Sequence, residues 1–284
     1  MFYEGNLILE GGAKRGVFTS GLLDYFMEQN LEISDVISVS AGSFNAINYI
    51  SNQHKRSKVC VMSEYKKDNC ISFKDFLTKK QLIDMDKTFD TFSNERYPFD
   101  YEAFFKSNMK AEIVATNCLT GKAEYLEPKT NEEIMLFCRA SCSMPMLVNM
   151  VNINGKPYLD GGPSAAIPLE YVLSKKKKKN VFILTRPLGF RKEMPSIASL
   201  KLQHKIYEKY PELLFTLKTT NKRYNLTLDL LEKLERHGDI LVIRPSIKPI
   251  SHFERNHDKI TEFYNHGYET AKESFEELIE FLNK

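Results

Sequence analysis

Ser40 stands where an apolar run, Val36-Ile37-Ser38-Val39, gives way to Ala41-Gly42 and then to a helical pattern. A serine on a sharp strand-to-helix turn has its hydroxyl pushed clear of the sheet, beside the free N–H groups that open the helix, which suits it to attack a carbonyl. Taken alone, an S-x-S-x-G match is also what an ordinary βα turn looks like. Two further clusters supply what a nucleophilic serine needs. The first, Glu10-Gly11-Gly12-Ala13-Lys14-Arg15-Gly16, follows the apolar run Asn6 to Leu9 and precedes a helical pattern reaching Glu28. Glycines let the backbone come close to a ligand and aim N–H groups at an oxygen. The loop lacks the Gly-Lys-Ser/Thr ending of a phosphate loop and the G-x-G-x-x-G spacing of a dinucleotide site, so nucleotide binding is the weaker alternative. An oxyanion hole fits better, each donor being worth about 3 kcal/mol to a developing negative charge. The second cluster lies downstream, where Val151 to Leu159 reads as a hairpin turning at Asn154-Gly155 and delivering Asp160-Gly161-Gly162. Asp160 is a candidate base, although Asp-Gly-Gly by itself is equally a plain turn.

These residues need a scaffold that brings three loops together. Strands are expected at 6–10, 35–39, 111–117, 180–185 and 239–243, alternating with helical stretches. That order predicts an α/β fold with a mostly parallel central sheet flanked by helices. Ile113-Val114-Ala115 and Val181 to Leu184 are continuous apolar runs, as strands buried on both faces require. With 284 residues, 42% of them hydrophobic, the chain is long enough for one large domain over 1–284. Residues 55–110 read as an insertion over one side of the sheet, whose Phe99, Tyr101, Phe104 and Phe105 suit either an acyl pocket or ordinary core. Residues 199–236 read as one or two amphipathic helices broken near Pro211. Their lysines could face an anionic membrane, or form a solvated face with the interleaved Glu208, Glu212, Asp229, Glu232 and Glu235. Lys175 to Lys179 is expected as an exposed loop, and Phe253 to Leu282 as one long amphipathic helix.

Taken together, the glycine loop, the serine turn and Asp160-Gly161-Gly162, in that order, resemble the small bacterial members of the patatin-like phospholipase family. Arg139-Ala140-Ser141-Cys142-Ser143-Met144-Pro145 and Leu184 to Lys192 are more weakly similar to segments of that family. The resemblance spans the chain and implies a three-layer sandwich and a Ser-Asp dyad. On that pattern Ser40 attacks an ester of a lipid or small molecule, and Asp160 takes its proton. The N–H groups of Gly11, Gly12 and Ala13 hold the oxyanion, Arg15 places the loop, and Gly16, Gly42, Gly161 and Gly162 support the turns. Water then releases the acyl group, or another acceptor takes it. An ordinary Asp, with a pKa of ~3.9, is a weak base, so geometry and the oxyanion site must supply much of the rate. Two departures stand out: Ser38 replaces a glycine of the serine turn, and Ala13 replaces a loop glycine. They keep open a catalytically silent protein that binds an acyl chain or a partner. A Ser-Asp-His triad is a second alternative, since His252, His257 and His266 follow Asp160.

A net charge of +3, from 40 basic and 37 acidic residues, gives no support for nucleic-acid binding. Cys60, Cys70, Cys118, Cys138 and Cys142 show no C-x-x-C spacing, which predicts reduced thiols in the cytoplasm and no metal site. No stretch approaches ~18 apolar residues and no charged start leads into an apolar signal segment. The expectation is a cytoplasmic protein, at most peripheral at the inner membrane surface, with no cofactor.

Overall fold

In the first strand, alternate residues face opposite layers: Leu7 and Leu9 join one apolar cluster, and Ile8 joins the other. The computed structural model describes residues 1–62, Met85, Phe89, 96–176 and 179–284. Strands β1 (Phe2–Leu9), β2 (Glu32–Val39), β3 (Lys110–Asn117), β4 (Ala123–Leu126), β5 (Val151–Ile153), β6 (Lys156–Asp160), β7 (Asn180–Ile183) and β8 (Leu241–Ile243) form one eight-stranded sheet. Its order is β5-β6-β3-β2-β1-β7-β8, with β4 also paired to β3. The pairs joining β3, β2, β1, β7 and β8 are parallel, and β4, β5 and β6 run antiparallel to their neighbours. The five expected strands are present. β4 was not anticipated, because Ala123-Glu124-Tyr125-Leu126 is only half-buried and has no sustained apolar run.

The helices are α1 (Gly16–Glu28), α2 (Ala41–Ile50), α3 (Arg56–Met62), α4 (Tyr101–Lys106), α5 (Asn131–Ser141), α6 (Gly162–Ala165), α7 (Leu169–Ser174), α8 (Ile197–Tyr207), α9 (Pro211–Arg236), α10 (His257–Glu273) and α11 (Phe275–Asn283). One layer packs α1, α2, α5, α10 and α11 onto Leu7, Leu9, Val36 and Ile113. The other packs α7 and α9 onto Ile8, Ile37, Val114 and Phe182. Tyr224, Leu228 and Leu231 repeat at helical spacing, which turns one stripe of α9 to the sheet. α1 and α10 approach until a Cβ added to Gly21 would lie 2.1 Å from the Tyr264 carbonyl, and one added to Gly267 would lie 2.0 Å from that of Phe18. Only glycine permits such a crossing, and Tyr264 adds a 2.5 Å hydrogen bond to Asp24.

Two expectations change, for the C-terminal helix and for Lys175, and the choice left open for the aromatic residues resolves. The C-terminal helix is two helices that meet at Ser274. Phe99 and Phe104 are core rather than acyl pocket, with the Arg56 guanidinium 5.2 Å from the Phe99 ring and its Nη1 donating to Asn48 at 2.7 Å. Much of the expected 55–110 insertion lies outside the described residues, as do Cys70, Lys177 and Lys178. Lys175 is no free surface charge: it pairs with Glu112 and lies 3.7 Å from Asp35. Lys179 lies over the Phe281 ring. The chain breaks before Pro211 as expected, α8 ending at Tyr207 and α9 starting at the proline.

Candidate functional site

Between β2 and α2, Ser40 adopts φ 54 and ψ −128. A non-glycine residue held there stores about 1–3 kcal/mol of strain, so its surroundings must fix it. Its N–H donates to Ser141 Oγ at 2.8 Å, and Ser141 in turn donates to the Val114 carbonyl at 2.6 Å. Its carbonyl accepts from both the N–H and the hydroxyl of Ser43, at 2.8 and 2.6 Å. A Cβ on Gly42 would lie 2.5 Å from the Leu9 carbonyl, so the turn needs glycine at that position. The Ser38 hydroxyl is buried and directed to the Glu112 carbonyl at 3.4 Å. The sheet therefore absorbs this departure from the family pattern.

The β5–β6 hairpin turns at Asn154 (φ 51) and Gly155 (φ 80), both left-handed as a tight hairpin demands. It ends at Asp160, whose N–H donates to the Ser143 carbonyl at 2.8 Å and whose carbonyl accepts from Thr116 Oγ1 at 2.7 Å. Ser40 Oγ donates to Asp160 Oδ2 at 2.7 Å, and the Gly162 N–H donates to Oδ1 at 2.7 Å. A Cβ on Gly161 would lie 2.3 Å from the Val114 carbonyl, which explains the first glycine of that turn. Burial pushes the Asp160 pKa up to about 6, against the opposing pull of the Ser40 and Gly162 hydrogen bonds and the charge of Lys192.

The glycine loop lies directly on the serine: a Cβ on Gly11 would be 2.7 Å from Ser40 Cβ, and one on Gly12 would be 2.8 Å from Thr185 Oγ1. Among the described residues, no protein acceptor takes the N–H of Gly11 or Gly12. Ala13 occupies φ 49, a left-handed conformation its Cβ disfavours by about 1–2 kcal/mol. Buried Glu10 supports the loop from beneath, accepting from the Thr185 N–H at 2.7 Å and from Tyr224 Oη at 2.6 Å. Asn45 donates to the Gly16 carbonyl at 2.8 Å and accepts from Ser20 at 2.9 Å, locking the start of α1 to α2. Gly16 keeps that junction close, since its Cβ would lie 3.2 Å from Ala41 Cβ. Arg15 is buried beside the loop, and burial together with Arg186 lowers its pKa to about 10.

Ser40, Asp160, Gly11, Gly12, Ala13, Arg15 and Gly162 all line one cavity of about 590 Å³. Its other wall is the segment 186–193, with Tyr224 behind it. Sequence reading missed Asn45 and Tyr224, and it named Glu10 only as the start of the glycine loop. It touched Ser141, Ser143, Thr185, Arg186 and Lys192 only inside the two weaker blocks of resemblance.

The histidines stand apart. Both Asp160 oxygens are engaged by Ser40 and Gly162. His252 is at the cavity edge, its carbonyl accepting from the Lys14 N–H at 3.3 Å. Desolvation and the charges of Arg15, Arg186 and Lys192 push its imidazole down to about 4. His266 packs on Phe18 and Phe263 and accepts from the Ser246 N–H at 3.1 Å, and His257 begins α10. Among the described residues, no cluster of His, Cys, Asp or Glu suits a metal ion, and no helix is long and apolar enough to cross a membrane.

The sequence profile of patatin-like phospholipases matches residues 7–173, and a profile described as a domain of unknown function, DUF6363, matches residues 210–283. The uncharacterised protein YjjU of Escherichia coli K12 is 31% identical over 185 residues, which cover 64% of this chain and 52% of YjjU. The chain thus spans about half the length of that relative. Among solved structures, VipD from Legionella pneumophila aligns over 98% of this chain and 66% of its own, at 11% identity and a TM-score of 0.43.

Proposed function

Because the chain belongs to the patatin-like phospholipase family, we propose that it hydrolyses carboxylic esters of lipids through an acyl-enzyme on Ser40. The observation that carries this reading is the 2.7 Å hydrogen bond from a strained, buried Ser40 to Asp160. In the first half-reaction Ser40 Oγ attacks the acyl carbon while its proton passes to Asp160 Oδ2. The charge that develops on the carbonyl oxygen meets the N–H groups of Gly11, Gly12 and Ala13. The tetrahedral species then collapses, and Asp160 returns its proton to the departing alkoxide. In the second half, water attacks the acyl-serine with Asp160 as the base, and Ser40 leaves with the proton.

Burial makes the dyad workable. With its pKa raised to about 6, Asp160 is a better proton acceptor than an exposed carboxylate yet still mostly ionised near neutral pH. The strained Ser40 backbone holds the hydroxyl forward, and the loop lies on it with two N–H groups unspent. A protein that only bound acyl chains would have no use for this arrangement, and neither Ser38 nor Ala13 removes an atom the reaction needs. Exposed Ile197, Leu202, Ile206 and Phe215 on α8 and α9 favour delivery of substrate from a lipid surface.

Labelling by a fluorophosphonate, with turnover of short p-nitrophenyl esters, tests the reading. Wild type reacts and turns over, and Ser40→Ala does neither. Folded wild type that neither labels nor turns over would move the assignment to a binding protein.

A further inference from the structure

We propose that Arg186 and Lys192 form an anion subsite beside Ser40, held in place by α9, that selects acyl esters carrying a phosphate headgroup with no cationic end. Its substrate half rests on the hydrolase reading above; its charge half rests on separate geometry. The segment 186–193 forms one wall of the catalytic cavity and is fastened to α9 by polar residues about one helical turn apart. Asn221 donates to the Glu193 carbonyl at 2.6 Å. Asn225 accepts the Lys192 N–H at 2.8 Å and donates to its carbonyl at 2.9 Å. Asp229 and Glu232 grip Arg191 at 2.6 and 2.9 Å.

This fastening uses up the charge of Arg191 and leaves its neighbours' charges facing the cavity. Among the described residues, neither Arg186 nor Lys192 has a carboxylate partner; each rests on an aromatic ring instead. Lys192 Nζ lies 3.9 Å from the Tyr224 centroid and Arg186 Cζ lies 4.3 Å from that of Phe190. Such stacking steadies a cation and leaves its hydrogen-bond donors unspent. Buried Arg15 adds a third cation, whose Nε has no acceptor. Glu10 and Asp160 favour these charges from a distance, but among the described residues no carboxylate of the cavity forms an ion pair with them. Glu10 is bonded by Thr185 and Tyr224, Asp160 by Ser40 and Gly162, and Glu193 is exposed. Three cations around unclaimed volume suit a phosphate, which accepts from a guanidinium and an ammonium together and repels a choline-like end. On this reading the C-terminal segment 210–283, a region with no assigned role, contributes to substrate choice through α9.

Turnover of three monomeric dihexanoyl lipids separates the possibilities: phosphatidylglycerol, phosphatidylcholine and diacylglycerol. The expected kcat/KM favours phosphatidylglycerol by about tenfold or more at low salt, the effect of one charge-assisted contact. Lys192→Met and Arg186→Gln, made separately, each lower that preference several-fold. Asn225→Ala, which only positions the segment, lowers it in part. In parallel, calorimetry on Ser40→Ala compares hexyl phosphate with inorganic phosphate; saturable binding of hexyl phosphate, lost in Ser40→Ala/Lys192→Met, is expected. Ser40-dependent turnover with equal kcat/KM on all three lipids would overturn the subsite alone. Binding of hexyl phosphate without turnover of any ester would overturn the hydrolase reading and keep the subsite. Inorganic phosphate binding as tightly as hexyl phosphate would refute a lipid headgroup as the occupant.

Discussion

Replacing Asp160 by asparagine should stabilise the protein while disabling it. The Asp160 carboxyl is 5% exposed, and its pKa rises from 3.8 to about 6 on folding. Both states hold the proton below about pH 4, so the carboxyl then makes no difference to stability. Between about pH 4 and pH 6 the unfolded chain has released the proton and the folded chain has not, so folding loses stability as pH rises. Above about pH 6 both are ionised and the cost levels off at about 3 kcal/mol, from roughly 1.4 kcal/mol for each unit of pKa difference. Asparagine has the same shape, still accepts from the Gly162 N–H, and carries no charge to bury. Asp160→Asn is therefore expected to be about 2–3 kcal/mol more stable than wild type near pH 8, and within about 0.5 kcal/mol of it near pH 4. Equilibrium urea unfolding across that range measures the difference. Far-UV circular dichroism is the suitable probe, since the chain has no tryptophan. A variant less stable near pH 8, or a difference independent of pH, would refute the claim that burial raises this carboxyl.

The remaining predictions concern the same site. On the proposed mechanism only ionised Asp160 accepts the Ser40 proton, so kcat/KM for a neutral p-nitrophenyl ester should rise with pH through about 6 and then level off; in Lys192→Met, which removes a charge favouring ionisation, the midpoint should move higher. A midpoint that does not move would separate Lys192 from the base. His252→Ala should keep kcat/KM within about threefold of wild type, whereas a fall of roughly 10⁴ would indicate a triad. Ala13→Gly relieves the left-handed alanine but loosens the unfolded chain, so the urea midpoint should stay level or rise by the equivalent of up to about 1 kcal/mol; a clear drop would contradict the strain. Anionic vesicles should sediment the protein at low salt, and Ile197→Glu with Phe215→Glu should release it; no sedimentation of wild type would remove the lipid surface as the source of substrate.

Locally encoded features were the easiest to read in this sequence. Val36 to Gly42 states a strand, a turn and a helix in consecutive residues, and Asn154-Gly155 states a hairpin turn outright. Each requires only neighbours in the chain. What the sequence conceals is why those turns hold. Ser141, far along the chain, satisfies the Ser40 N–H, and its own hydrogen goes to Val114. Thr185 and Tyr224 hold Glu10 under a loop that reads as complete by itself. No spacing rule links such partners, because their proximity exists only after the sheet has ordered β3, β2, β1 and β7 side by side.

The sharpest case is α9. Asp229 and Glu232, interleaved with lysines, have the composition of a solvated helix face. In the fold they anchor Arg191 and, with Asn221 and Asn225, carry a segment some thirty to forty residues earlier. A charge on a helix is inexpensive in water, so its composition does not say whether a partner waits. Here the partner is itself charged, and the pairing brings together a segment known in the sequence only by a weak family resemblance and a helix that reads as surface. Its consequence lies one residue further along: pinning Arg191 leaves Lys192 directed at Tyr224, close enough to help ionise Asp160. Asp229→Ala and Glu232→Ala together should therefore weaken that influence and raise the pH midpoint of turnover, although neither carboxylate touches the cavity. An unchanged midpoint in a folded double variant would mean that Lys192 is held by Tyr224 and Asn225 alone.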